Sequence, residues 1–201
     1  MSGLADFEAM LMRHGETEWS VNGRHTGNTD LPLTERGREE ARKMAPHIGG
    51  HDYDLVLSSP LQRALDTCRA VGLGGRVQQR EELREWDYGD YEGLTSPQIH
   101  ESDPEWLLWR DGCPGGESPA EVAARCDRIV AELVAHVEAG GGDAILFAHG
   151  HILRALGARW AEQPLELGAR MMLSTAAASA LGYEHNTRAI KFWNRTSQQQ
   201  Y

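Results

Sequence analysis

At 201 residues, with 40% hydrophobic and 25% charged side chains, the chain has the size and composition of one globular domain with a substantial core. Its formal net charge of -10 excludes a general binder of nucleic acid or of an anionic membrane surface, since either needs a basic face. Three cysteines (Cys68, Cys113 and Cys126) are odd in number and lack CxxC spacing, so they read as reduced thiols. With no signal peptide pattern ahead of residue 9 and no apolar run of membrane-spanning length, the expected setting is cytoplasmic.

Taken in order, residues 9–12 are an apolar run that predicts a short buried strand, ending abruptly in Arg13-His14-Gly15. A loop rich in Gly, Asn, Thr and Asp follows over 16–32, long enough without regular structure to suggest a functional role. Thr34 is placed to cap a helix through about Ile48, with Ala41, Met44, Ala45 and Ile48 as its apolar face. Residues 54–59 predict a second strand. Pro60 then suits the first position of a helix whose inner face would be Leu61, Leu65 and Cys68. That helix leaves Arg63 near its amino end, where the dipole and free amides favour an anion.

The segment from Gly72 to Gly75 ends that helix, and 76–79 suggest a short strand. Segment 82–93 crowds carboxylates and aromatics around Glu85, and most of its charges read as solvated. Residues 95–112 predict short helices starting near Pro97 and Pro104, with Trp86, Trp106 and Trp109 as packing residues rather than a cleft wall. Ser118-Pro119-Ala120-Glu121 combines a capping box with proline at the first helical position. Val122, Cys126, Ile129, Val130, Leu133 and Val137 then recur at helical period until Gly140-Gly141-Gly142. Residues 144–148 repeat the plan of the first strand and end in His149-Gly150, followed by a helix over about 152–160. Strands at 179–183 and 189–193 are joined by a turn near Asn186, and 197–201 read as frayed. This alternation implies one three-layer α/β domain over 1–201. Its sheet is mostly parallel with helices on both faces, and the tail adds an antiparallel edge.

In open α/β sheets ligands collect beyond the carboxyl ends of strands. Gathering the residues expected there gives Arg13, His14, Arg63 and His149, with Glu85 as the best-placed carboxylate. Such a set suits phosphoryl transfer. The arginines and one imidazolium would hold the equatorial oxygens while neutral His14 attacks phosphorus in line. Protonated Glu85 would donate to the leaving alcohol and then, as carboxylate, activate water. A bell-shaped rate profile on the acid side of neutral follows from that pairing.

At these residues the chain resembles the histidine phosphatase superfamily, with its phosphoglycerate-mutase-like fold. Arg13-His14-Gly15-Glu16-Thr17 matches the defining signature, and Thr26-Gly27, Asp30, Pro32-Leu33-Thr34 and Gly37 match the next loop and helix start. Ser58-Ser59-Pro60-Leu61 with Arg63-Ala64 and Thr67 matches the second motif. Glu85 ahead of Gly89 and Glu92-Gly93, then Gly116-Glu117-Ser118 and Ala148-His149-Gly150, complete the set in family order.

The segments around Glu85, Trp109 and His151 look like the branch that includes sedoheptulose bisphosphatase and broad acid phosphatases. Ser20, where mutases carry asparagine, supports a hydrolase. The resemblance implies a small phosphorylated metabolite as substrate, with no cofactor and no metal. It implies Ser20, Thr26, Gly27 and Gly150 at the substrate, and Tyr88, His151 and Arg154 near the sugar or a second phosphate. A mutase would return the phosphoryl group to bound product, but Ser20 and the lack of long insertions lean against it. A metal-dependent hydrolase using His149 and His151 on an extended segment lacks a third ligand at recognisable spacing. A catalytically dead phospho-ligand sensor is disfavoured because nucleophile, arginines, second histidine and acid are all present. The sequence leaves a homo-oligomer open.

Overall fold

The structure, a computed structural model, describes residues 6–48 and 51–198. The first half contains β1 (Glu8–Arg13), α1 (Glu18–Asn22), α2 (Glu35–Ile48), β2 (Leu55–Ser58), α3 (Gln62–Ala70) and β3 (Gln78–Gln79). The second contains α4 (Ser96–Ser102), α5 (Leu108–Asp111), α6 (Pro119–Glu138), β4 (Ala144–Ala148), α7 (Gly150–Trp160), β5 (Ala178–Glu184) and β6 (Thr187–Arg195). The strands lie in the order β3-β2-β4-β1-β5-β6; the first four are parallel, and β5 and β6 add an antiparallel hairpin beside β1. The α/β architecture expected from the alternation is therefore present, with the tail as its antiparallel edge. Of the tail expected to fray, residues 197 and 198 form a turn, and residues 199–201 lie outside those described.

The pleat sends alternate side chains to opposite faces of the sheet. Ala9, Leu11, Leu57 and Leu146 join the core that includes Val122, Cys126, Ile129 and Leu133 of α6 and Leu153 and Leu156 of α7. Met10, Met12, Val56, Ile145 and Phe147 join the other, with Ala41, Met44 and Ile48 of α2 and Ala64 and Cys68 of α3. Each fully buried Val, Leu, Ile, Phe or Met side chain among them contributes about 1.5–3 kcal/mol relative to exposure. Both faces of the central strands are covered, so β2 and β4 are buried at every position. Burial also pushes all three thiols up to about 12, leaving them protonated and unreactive.

Several boundaries differ from the sequence reading, each for a local reason. The loop over 16–32 contains α1, started by a capping box in which Thr17 Oγ1 accepts from Ser20 N at 3.2 Å and Ser20 Oγ accepts from Thr17 N at 2.9 Å. Serine replaces the usual Glu or Gln at the third position, so the helix signal is disguised. Helix α3 starts at Gln62 rather than Pro60, because Leu61 is extended and Asp30 Oδ1, from the preceding loop, accepts from Gln62 N at 2.8 Å. The inner face is consequently Arg63, Ala64, Thr67 and Cys68, with Leu65 only half-buried. Pro104 occupies a turn, and α5 begins four residues later. The strand expected over 76–79 pairs only at Gln78 and Gln79. Helix α7 begins at Gly150, so His149 is its N-cap and His151 lies in its first turn rather than on an extended segment. In α2, Ala45 is half-buried while Gly37 joins the buried face.

Gly37 explains how β1 is coupled to α2. A Cβ there would lie 2.2 Å from the Glu16 carbonyl oxygen, and one on Gly15 would lie 2.2 Å from the Gly37 carbonyl oxygen. The loop leaving β1 and the start of α2 therefore approach at backbone contact. Gly37→Ala is expected to destabilise the fold by about 1–3 kcal/mol through overpacking, read as a lower urea midpoint. An unchanged midpoint would contradict the close approach.

Candidate active site

Parallel register aligns the carboxyl ends of three strands. Arg13 of β1 pairs with Ala148 of β4, and Ser58 of β2 pairs with Phe147, so the next residues, His14, His149 and Ser59, stand side by side. The His14 and His149 ring centroids are 5.1 Å apart.

His14 Nδ1 lies 2.7 Å from the Gly15 carbonyl oxygen. A carbonyl only accepts, so Nδ1 carries the proton and neutral His14 leaves Nε2 with its lone pair. Burial, followed by the charges of Arg63 and Arg13, pushes the imidazole well below its ordinary value, which keeps it neutral near pH 7. The loop is fixed in turn by Gly15 N, which donates to Thr67 Oγ1 at 3.1 Å.

His149 has no exposed surface. Its Nδ1 accepts from Arg63 Nε at 3.0 Å, so Nε2 bears the proton and donates to Ser59 Oγ at 2.8 Å. Burial, then the charges of Arg63, His14 and Arg13, hold this imidazole well below its ordinary value as well. The site thus contains a neutral imidazole where the sequence reading placed an imidazolium.

Arg63 is also fully buried. Its Nη1 donates to Thr29 O at 2.9 Å, and its Nη2 donates to Thr26 O and Gly27 O, each at 3.0 Å. Glu92 holds the other side of that loop by accepting from the amides of Gly27 and Thr29. Most of the donors expected to clamp an anion are therefore occupied by the protein's own carbonyls. Arg13 differs: Nη1 donates to Leu173 O at 2.5 Å, while its buried Nε has no partner among the described residues.

Glu85 reaches the amino end of α7. Its Oε1 accepts from Trp86 N at 3.0 Å and Ile152 N at 2.9 Å, and its Oε2 accepts from His151 N at 3.0 Å. Beside it, Tyr88 Oη lies 2.6 Å from His151 Nδ1. Burial raises the phenol well above its ordinary value, while burial and Arg154 hold His151 well below its own. The phenol therefore keeps its proton and His151 is neutral. Arg154 donates from Nε to Gly168 O at 2.8 Å, with its guanidinium carbon 5.0 Å from the Trp109 ring centroid. Trp86, Trp106 and Trp109 are all buried, as expected of packing residues.

These groups surround a cleft of about 240 Å³. Of the residues singled out from sequence, Arg13, His14, Ser20, Thr26, Glu85, Tyr88, Gly150, His151 and Arg154 line it. Arg63, Gly27 and His149 do not; they stand behind it as support. Gly27 is required there because a Cβ would lie 2.6 Å from Trp86 O. The sequence reading missed Arg24, His25, Ser96 and Leu173, which also line the cleft. His25 adjoins the Thr26-Gly27 motif and has its ring 4.7 Å from that of Tyr88, so the motif's neighbour was the available signal. Ser96, the first residue of α4, and Leu173, on the loop before β5, are remote in sequence and carry no such signal. Among the described residues, no helix is long and apolar enough to cross a membrane.

Comparison with known proteins gives a consistent picture. The model of the histidine phosphatase superfamily (branch 1) matches residues 9–196. An acid phosphatase of Mycobacterium tuberculosis is 43% identical over 190 residues, covering 94% of this chain and 92% of that protein. Sedoheptulose 1,7-bisphosphatase of Saccharomyces cerevisiae is 34% identical over 179 residues, covering 75% of this chain and 66% of that protein. The solved structure of an open reading frame product from Mycobacterium tuberculosis superposes with a TM-score of 0.90 at 42% identity, covering 96% of this chain and 99% of that one.

Four depressed histidines make stability depend on pH: His14, His149 and His151 are held well below the ordinary value, and burial lowers His25 as well. As pH falls through their ordinary value of 6.5, the unfolded chain takes up protons that the native site resists. Stability is thus full above that value and is lost below it, by up to about 1.4 kcal/mol per pH unit for each such histidine. Urea midpoints between pH 7.5 and 5.5 are expected to fall steeply for the wild type and less steeply for His149→Asn (pH range chosen to bracket the ordinary histidine value). Parallel slopes would contradict the burial of a neutral His149.

Proposed function

Because this chain belongs to the histidine phosphatase superfamily, we propose that it hydrolyses small phosphorylated metabolites, sugar phosphates or bisphosphates, through a phosphohistidine on His14. The observation that carries the reading is the tautomer of His14. With Nδ1–H donated to Gly15 O, the unprotonated Nε2 of a cleft-lining imidazole is available as nucleophile.

In the first step Nε2 forms a bond to phosphorus as the ester P–O bond breaks. Arg13, with a buried Nε free of other partners, supplies charge-assisted donors to the phosphoryl oxygens. Arg63 and His149 hold the surrounding backbone and rings in register from behind. The leaving oxygen takes a proton from Glu85. Oε2 is suited to carry that proton because it accepts one amide, whereas Oε1 accepts two. In the second step Glu85 removes a proton from water, the hydroxyl attacks phosphorus, and the P–N bond breaks to regenerate His14. Tyr88, His151 and Arg154 line the part of the cleft assigned to the rest of the substrate. A cytoplasmic setting accords with three buried, free thiols.

Inorganic phosphate release, measured with a strong chelator across sugar bisphosphates, sugar monophosphates, phosphoglycerates and an aryl phosphate, is expected to persist undiminished. His14→Ala should abolish it, and trapped enzyme should carry an acid-labile phosphate on His14. An acid-stable label, or isomerised phosphoglycerate without phosphate release, would sink the assignment; the latter would make the protein a mutase. Glu85→Gln is expected to lower kcat/KM for alkyl phosphates by about 10²–10⁴-fold while sparing the aryl phosphate, whose leaving group needs no proton. Activity should also persist below pH 6.5, because the depressed His14 remains neutral there. An ascending limb centred at or above 6.5 would contradict its environment.

A further inference from the structure

Glu85 lies on an irregular segment with no strand partner, between 3-10 turns at Glu81–Leu83 and Gly89–Tyr91. Its carboxylate is anchored on α7, but the backbone that carries it is held from the opposite side by Arg125 of α6. Arg125 Nη1 donates to Glu82 O at 2.7 Å and to Arg84 O at 2.9 Å, and Nη2 donates to Glu85 O at 3.4 Å. Nε and Nη2 form a two-pronged pair with Glu117, at 2.6 and 2.8 Å. All the N–H groups of the guanidinium are thereby committed.

Glu117 completes the hold. Its Oε2 accepts from Asp87 N at 2.9 Å, its own N donates to Asp87 O at 2.9 Å, and its carbonyl accepts from the Trp86 indole at 2.9 Å. Together the pair binds peptide or indole groups on residues 82 and 84 to 87. The contact is tight: a Cβ on neighbouring Gly116 would lie 2.3 Å from Asp87 O. Both side chains are largely buried, and neither lines the cleft that contains His14.

We propose that Arg125 and Glu117 are positioning residues for proton transfer, fixing the Glu85 segment so that its carboxyl group meets the leaving oxygen. The proposal rests on the role given to Glu85 in the phosphatase reading. A planar fork that joins three carbonyls to one carboxylate has no equivalent in lysine, whose ammonium is a compact point charge. Arg125→Lys therefore preserves charge and loosens the segment.

The test compares kcat/KM for an alkyl phosphate and an activated aryl phosphate in Arg125→Lys, Glu117→Gln, Glu85→Gln and the Arg125→Lys/Glu85→Gln double variant. Misplacement of the proton donor on the order of 1 Å is expected to cost Arg125→Lys roughly 10²-fold on the alkyl ester. The aryl ester should be nearly unaffected, which also shows that the variant is folded. Glu117→Gln, which retains an acceptor for Asp87 N, should show a smaller loss with the same leaving-group selectivity. In the Glu85→Gln background Arg125→Lys should add nothing, since both changes remove one proton transfer.

Equal losses on both esters in Arg125→Lys and Glu117→Gln, or a full further loss in the double variant, would show that the pair only stabilises the fold and would overturn the proposal. Absence of leaving-group selectivity in Glu85→Gln itself would overturn the role of Glu85, and the proposal with it. The Glu85 single variant therefore separates the two failures.

Discussion

The guanidinium of Arg63 has no exposed surface, and removing such a charge from water is offset only by well-placed acceptors on every side. Three loop carbonyls and one imidazole nitrogen provide them. This one cation therefore ties the irregular segment around Thr26–Thr29 to α3 and to the end of β4. Glu92 pulls on the same segment through its amides, so the loop is held between a buried cation on its carbonyl side and a carboxylate on its amide side. The protonation of His149 follows from the arrangement. Since Arg63 donates to Nδ1, the remaining proton must reside on Nε2, and Ser59 receives it. A residue that looks like a ligand clamp in the sequence is, in the fold, the support that gives the cleft its shape.

The same economy of donors governs the two anchored ends of the site. His14 is oriented by the carbonyl of the residue that follows it, and Gly15 is itself fixed by Thr67 on the inner face of α3. Glu85 is oriented by the free amides at the start of α7, where an N-cap side chain would ordinarily sit; His149 occupies that cap position and makes no capping bond. The carboxylate thus serves as cap for one element while belonging to another. His14 and Glu85 are each placed by backbone groups, which move less than side chains.

Much of this was legible before any coordinates. Apolar runs ending in Arg13-His14 and Ala148-His149 announced two strands whose carboxyl ends meet, and the Ser118 capping box marked the start of α6 correctly. Legibility failed where an element is completed from a distance. Helix α3 takes its first cap from Asp30, more than thirty residues upstream, so the local cue at Pro60 misplaced its start and its inner face. Helix α1 was hidden because serine stands in for the acidic member of its capping box. Arg63 could be placed near the strand ends, but its partners are carbonyls, which every residue possesses and no motif records. Arg125 carried no signal for the same reason: three of its acceptors are main-chain oxygens.

The position of β1 within the sheet has a consequence for the order in which this molecule can assemble. Its two neighbours are β4, which begins at Ala144, and β5, which begins at Ala178. A ribosome therefore delivers His14 well before either of the strands that brace it. Until β4 has been made, β1 has neither partner, and its apolar residues await closure of a very long loop. The pocket around His14 can close only once both strands have been made, and until then the apolar β1 run is the segment that a nascent or stalled chain must keep from aggregating.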